Sequence, residues 1–151
     1  MNILLLGATG SIGDSVLSVI EENHSKLNLF GITFNKNINK SQEIIKNFKP
    51  KFVYVEDRAV FEDQKDTSDI TFFNGDSSLK ELIEHDDVDV IISAISGFAG
   101  LKATYFAAST GKKILLANKE SIVAGGDLIT ARAKKFNSKI IPIDSEHNAI
   151  F

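Results

Sequence analysis

Residues 2–20 read NILLLGATGSIGDSVLSVI, an apolar run that passes through three glycines into a segment with helical spacing. No other stretch narrows the possible folds as much. The glycines stand at Gly7, Gly10 and Gly13, three apart, between the strand and the helix. Gly7 and Gly10 permit a tight turn whose backbone N–H groups approach a phosphate, and Gly13 lets the helix lie close to a sheet. The helix N-terminus adds unpaired N–H donors and a partial positive charge. Thr9 and Ser11 place hydroxyls beside them. In a βαβ setting such a turn cradles a dinucleotide pyrophosphate; the alternative is a glycine-rich turn that binds nothing.

Beyond the turn, short runs rich in Ile, Val, Leu and Phe alternate with longer amphipathic segments. Strands are predicted near 2–6, 28–33, 51–55, 70–73, 89–94, 113–116 and 139–143, and helices over 12–22, 38–48, 77–84, 100–110 and 119–136. This alternation predicts an α/β fold, a Rossmann-like, doubly wound, mostly parallel sheet with helices on both faces. Glu56–Asp69 is charge-rich and weakly periodic, as expected of a short helix with loops. A length of 151 residues suits one domain.

Composition removes several function classes. A net charge of −3 gives no general attraction to nucleic acid or anionic lipid. No segment approaches the ~18 uninterrupted apolar residues of a membrane span. Neither nucleic acid nor membrane is therefore an expected partner. The chain has no cysteine, which excludes disulfides, thiolate metal sites and thiol nucleophiles. With no basic, apolar or Arg/Ser-rich leader pattern at the start, a cytoplasmic location is expected, although a removed leader would leave no trace.

The second strand bears on the choice of cofactor. Where NAD-binding chains place an acidic residue for the ribose 2′-hydroxyl, this chain has Asn35-Lys36-Asn37, with no carboxylate to repel a phosphate. A lysine between two amides suits a 2′-phosphate and favours NADPH; otherwise Lys36 is an ordinary solvated loop lysine. Farther on, Ser96-Gly97-Phe98-Ala99-Gly100 follows a buried strand. Its small residues allow a ligand to cross the sheet edge, or else form an ordinary loop.

Two later strands end in polar clusters, Asn118-Lys119-Glu120 and Asp144-Ser145-Glu146. In open α/β sheets functional groups gather beyond the strands' carboxyl ends. Asn118 and Ser145 also suit helix N-caps, with Glu120 in a first turn. Asp144 and Glu146, two apart on extended backbone, point to one side as a hard divalent cation requires, and Mg²⁺ or Mn²⁺ would complete its shell with other oxygens. His24 and His85 read as surface residues, and His147, beside the carboxylates, has no identified proton partner.

Taken together, GATGSIG at 7–13, AISGFAGL at 94–101, LLANKES at 115–121 and PIDSEHNAIF at 142–151 resemble the motifs of the 1-deoxy-D-xylulose 5-phosphate reductoisomerase family in order and separation. The resemblance implies rearrangement of the sugar phosphate and reduction of the resulting aldehyde by NADPH to 2-C-methyl-D-erythritol 4-phosphate, for isoprenoid synthesis. By position it implies cofactor contacts from Gly7, Thr9, Gly10, Ser11, Ile12, Gly13, Asn35, Lys36, Asn37, Asn118 and Glu120. It further implies catalytic roles for Lys119, Asp144 and Glu146, substrate binding by Lys119, Ser145 and Glu146, and metal binding by Asp144 and Glu146. Ala8 departs from a serine common in the family, and Asn35 from a frequent glycine. Residues 1–151 are thus expected to form the NADPH-binding domain, reaching only the start of the catalytic and metal site. The catalytic and C-terminal domains of a homodimeric enzyme would lie outside it, and the fragment alone would bind NADPH without turnover.

Two rival readings share the turn. Extended short-chain dehydrogenases and epimerases need a Tyr-x-x-x-Lys pair, yet Arg58 stands four residues after Tyr54 and Ser109 four after Tyr105. Semialdehyde dehydrogenases with a similar turn need a nucleophilic cysteine. A non-catalytic NADP-binding sensor module needs neither.

Overall fold

The computed structural model of the chain describes residues 1–64 and 70–143. Its elements run β1 (Asn2–Leu6), α1 (Ser11–Glu22), β2 (Asn28–Phe34), α2 (Ile38–Phe48), β3 (Phe52–Val55), α3 (Arg58–Gln64) and β4 (Thr71–Phe73). The order continues with α4 (Asp76–Glu84), β5 (Val90–Ser93), α5 (Gly100–Ala107), β6 (Lys113–Leu116), α6 (Lys119–Phe136) and β7 (Lys139–Pro142). The strands pair in the order β4-β3-β2-β1-β5-β6-β7, and each pairing is parallel. The expected doubly wound sheet is therefore present, without an antiparallel member among the described residues.

Near-continuous apolar strands explain the layering, because a parallel strand buries both of its faces. Ile3 and Leu5 of β1 face one core with Leu17 and Ile20 of α1 and Ile44 of α2. Leu4 and Leu6 face the other, with Leu79, Leu82 and Ile83 of α4, Ala103 and Ala107 of α5 and Ile129 of α6. Both cores meet in β1, whose neighbours are β2 and β5, Leu5 pairing with Ile32 on one side and Ile92 on the other. The chain changes winding direction between β1 and β5, which makes their carboxyl ends the topological switch point.

Three local expectations need revision. Helix α5 stops at Ala107, three residues before the predicted end, because Thr110 donates its hydroxyl to the Ala107 carbonyl at 2.8 Å and Gly111 follows with φ of 74°. His85, read as a surface residue, is half-buried, its ring 5.1 Å from those of both Phe30 and Phe52. Of the charge-rich 56–69 segment, residues 58–64 form α3 and 65–69 lie outside the described residues.

Candidate cofactor site

Gly7 leaves β1 with φ of +85°, a conformation that disfavours any side chain, and a Cβ there would lie 2.8 Å from the Ala94 carbonyl oxygen. The turn is held from the other side by Thr33 of β2. Its backbone carbonyl accepts from the amides of Gly7 (3.2 Å) and Ala8 (2.9 Å), and its Oγ1 accepts from Gly7 at 2.9 Å. Gly10 is the N-cap of α1 and brings no capping side chain. Donors of the first helical turn therefore find no acceptor within the helix or its cap. At Gly13 a Cβ would collide with the Ala8 carbonyl, so only glycine lets α1 approach the strand end so closely. This is the cradle expected of a pyrophosphate site.

In front of the turn lies a cleft of about 540 Å³ at the switch point. Gly7, Thr9 and Gly10 form one wall, Thr33, Phe34 and Asn35 a second, and Ala94, Ile95, Ser96, Phe98 and Ala99 a third. Tyr54 and Glu56 from the end of β3, Leu79 of α4, and Lys102 and Ala103 of α5 complete it. The Ser96–Gly100 loop thus lines the cleft rather than only connecting elements. Apolar walls interrupted by hydroxyl, amide and charged side chains suit an extended ligand that carries polar groups along its length.

The sequence-derived residues divide into groups. Ser11, Ile12 and Gly13 open α1 behind the cleft wall. Exposed Lys36 lies 3.5 Å from Asp57, so a carboxylate does stand beside the expected 2′-phosphate position, supplied by the end of β3 instead of β2. Asp57 also caps α3, accepting from Ala59 (3.0 Å) and Val60 (3.1 Å). The Val60 amide, followed by the Lys36 charge, holds its carboxyl below the ordinary carboxylate range. Asn37 caps α2, its side chain accepting from Lys40 at 3.2 Å.

Asn118 is only 2% exposed. It caps α6 by accepting from Ser121 at 2.8 Å, and its amide nitrogen donates to the carbonyls of Ile95 and Gly97. Its side chain therefore has the capping role that the sequence left open, together with a tie to the cleft loop. Lys119 and Glu120 start α6 at the carboxyl end of β6, on the same rim as the turn. Parallel β7 ends on that rim too. Asp144, Ser145, Glu146 and His147 lie outside the described residues. Within the described residues no cluster of three or more His, Asp or Glu side chains is suited to a metal.

A sequence profile of 1-deoxy-D-xylulose 5-phosphate reductoisomerase matches residues 3–126. The chain belongs to that family. The reductoisomerase of Francisella tularensis subsp. novicida strain U112 is 47% identical over 150 residues, and that of Listeria innocua serovar 6a is 44% identical over 151. The chain spans 39% of the length of either relative, while nearly all of the chain is matched, 99% and 98%. A solved DOX-P reductoisomerase in complex with NADPH, fosmidomycin and magnesium superimposes with a TM-score of 0.93 at 40% identity, covering 99% of this chain and 38% of that one. The Zymomonas mobilis reductoisomerase in complex with NADPH gives 0.91 at 36% identity, covering 99% of this chain and 40% of that one. Family membership accords with the order of motifs and with the missing Tyr-x-x-x-Lys pair of the dehydrogenase alternative.

Sequence reasoning missed Thr33, Tyr54, Glu56 and Lys102 as parts of the site. Thr33 carried a signal, as a hydroxyl inside the otherwise apolar run LFGITF. The others become neighbours only once β3 and α5 are placed around the switch point. The described helices include none long and apolar enough to cross a membrane.

Proposed function

We propose that this chain is the NADPH-binding part of an enzyme that rearranges and reduces 1-deoxy-D-xylulose 5-phosphate to 2-C-methyl-D-erythritol 4-phosphate, for isoprenoid synthesis. The observation that carries the reading is the cleft bounded by the glycine turn at the β1/β5 switch point, with a helix that only Gly13 allows so near. Backbone donors at the start of α1, residues 11–13, hold the pyrophosphate. Asn35 and Lys36 meet the 2′-phosphate, and the loop after β5 together with the start of α6 guides the other half of the molecule toward Lys119.

When bound, NADPH supplies the hydride, and a divalent metal ion supplies Lewis acidity for the rearrangement. The protein's part is positional. Lys119, exposed at the start of α6, gives the sugar phosphate a cationic partner. Asp144 and Glu146 are the proposed ligands of Mg²⁺ or Mn²⁺, and Ser145 with Glu146 would hold substrate. The longer enzyme is proposed to act as a homodimer.

Fluorescence titration of the chain with NADPH and NADH tests the cofactor assignment, with NADPH expected to bind more tightly; a preference for NADH would overturn the Lys36 argument. In the longer gene product, Lys119→Ala and Asp144→Asn are expected to abolish turnover while NADPH binding persists. A longer gene product that binds NADPH but shows no turnover, with signalling unaffected by either substitution, would favour the non-catalytic sensor module.

A further inference from the structure

In a doubly wound sheet the adenosine ribose is read at the end of the second strand, so its base extends toward the third. In this chain that direction leads over the end of β3, between the apolar walls of Leu79 and Ala103 and the polar groups of Tyr54 and Glu56. Tyr54 is 2% exposed, and its hydroxyl donates to Glu56 Oε2 at 2.8 Å. Burial, then the Glu56 carboxylate, pushes the phenol's pKa far above its usual value, so the hydroxyl keeps its proton as a donor.

The strand end itself is fixed by Asn74, which donates to the carbonyls of Val55 at 2.7 Å and Glu56 at 3.2 Å. Lys102, the cation lining this cleft, is committed to Asp76 at 2.5 Å. Glu56 therefore presents an oriented carboxylate whose second oxygen has lone pairs of its own.

We propose that Glu56, oriented by Tyr54, accepts a hydrogen bond from the exocyclic amine of the cofactor's adenine and so selects adenine over purines bearing a 6-carbonyl. This rests on reading the cleft as the cofactor site. An amine donates to a carboxylate, whereas a carbonyl oxygen at the same position meets it lone pair against lone pair. Glu56 is exposed in the free chain, and a bound purine would cover it, so a base that cannot reciprocate would leave the covered carboxylate unpaired. Glu56 contacts the base, and Tyr54 is a positioning residue.

The test is a fluorescence titration of the chain with NADPH and with reduced nicotinamide hypoxanthine dinucleotide phosphate, which carries a carbonyl at the purine 6-position in place of the amine and, with it, a proton on N1. The wild type is expected to prefer NADPH by about tenfold or more. Glu56→Gln, whose amide offers either a donor or an acceptor, should bring the two within about twofold, and Tyr54→Phe should lower the ratio in part. Equal affinities in the wild type, or an unchanged ratio in Glu56→Gln, would overturn the proposal while leaving the cofactor site standing. Failure of NADPH itself to bind would remove both.

Discussion

Asn118 and Gly100 fill adjoining space so tightly that a methyl group on the glycine would overlap the asparagine's Nδ2. The same Cβ would lie 2.7 Å from the Ile95 carbonyl oxygen, one of the two acceptors of that nitrogen. One side chain thereby joins the start of α6 to the loop that lines the cleft. Gly100→Ala is expected to expel the amide, with a loss of about 2–3 kcal/mol from overpacking and unmade hydrogen bonds. Urea denaturation measures the loss, and a parallel NADPH titration should show weaker binding because the Ser96–Ala99 wall shifts.

Gly13→Ala tests the cradle. Its methyl group would run into the Ala8 carbonyl, which backbone cannot yield as a flexible side chain would. Helix α1 must tilt away from β1, with an expected cost of about 1–3 kcal/mol and a loss of NADPH affinity larger than the change in stability explains. A melting curve and a titration on the same sample separate the two effects.

Lys36 and Asp57 make opposed predictions about phosphate recognition. Lys36→Ala should weaken NADPH binding by roughly tenfold and leave NADH little changed, since only NADPH carries the 2′-phosphate. Asp57→Asn keeps an oxygen to cap α3 but removes the charge 3.5 Å from Lys36, so NADPH affinity should rise by roughly threefold at low salt. The pair is read by titration with both cofactors.

Acid should act on the same carboxylate. Its folded-state pKa is depressed by the Val60 amide, followed by the Lys36 charge, so the ionised form is the one that folding favours. The resulting stabilisation of α3 is complete above the ordinary carboxylate pKa and is lost as pH falls through the depressed value. Amide hydrogen exchange at Ala59 and Val60 is expected to lose protection in that window, and Asp57→Asn should remove the pH dependence.

Ser121 is fully buried, and among the described residues its Oγ has no hydrogen-bond partner. Ser121→Ala removes an unsatisfied polar atom and retains the backbone N–H that Asn118 caps. We expect a neutral to stabilising change of up to about 1 kcal/mol, checked by thermal unfolding.

The parts of the fold set by local rules were legible in the chain. Apolar runs marked each strand to within a residue or two, and the spacing of Gly7, Gly10 and Gly13 announced the turn because a positive φ and a close helix approach each require glycine. Asn118 was legible as a cap, but not as a tie, since Ile95 and Gly97 stand more than twenty residues away. Asp57 escaped notice for a similar reason. The expected acid was sought at the end of β2, and the parallel pairing of β2 with β3 brings one from the next strand instead. Helix α5 was overextended because a hydroxyl that closes a helix leaves no mark on hydrophobic periodicity.

The central strand precedes both of its sheet neighbours, β2 and β5, in the chain. Its amide and carbonyl groups on the β5 side are met by residues 90–93, and the space beside Gly7 is bounded by Ala94. A nascent chain that has emerged only as far as β4 has the glycine motif complete in sequence but lacks its opposite wall. Sheet pairings that span so much chain close slowly. Ligand binding should therefore arise only when β5 has emerged, although the glycine motif is complete at Gly13.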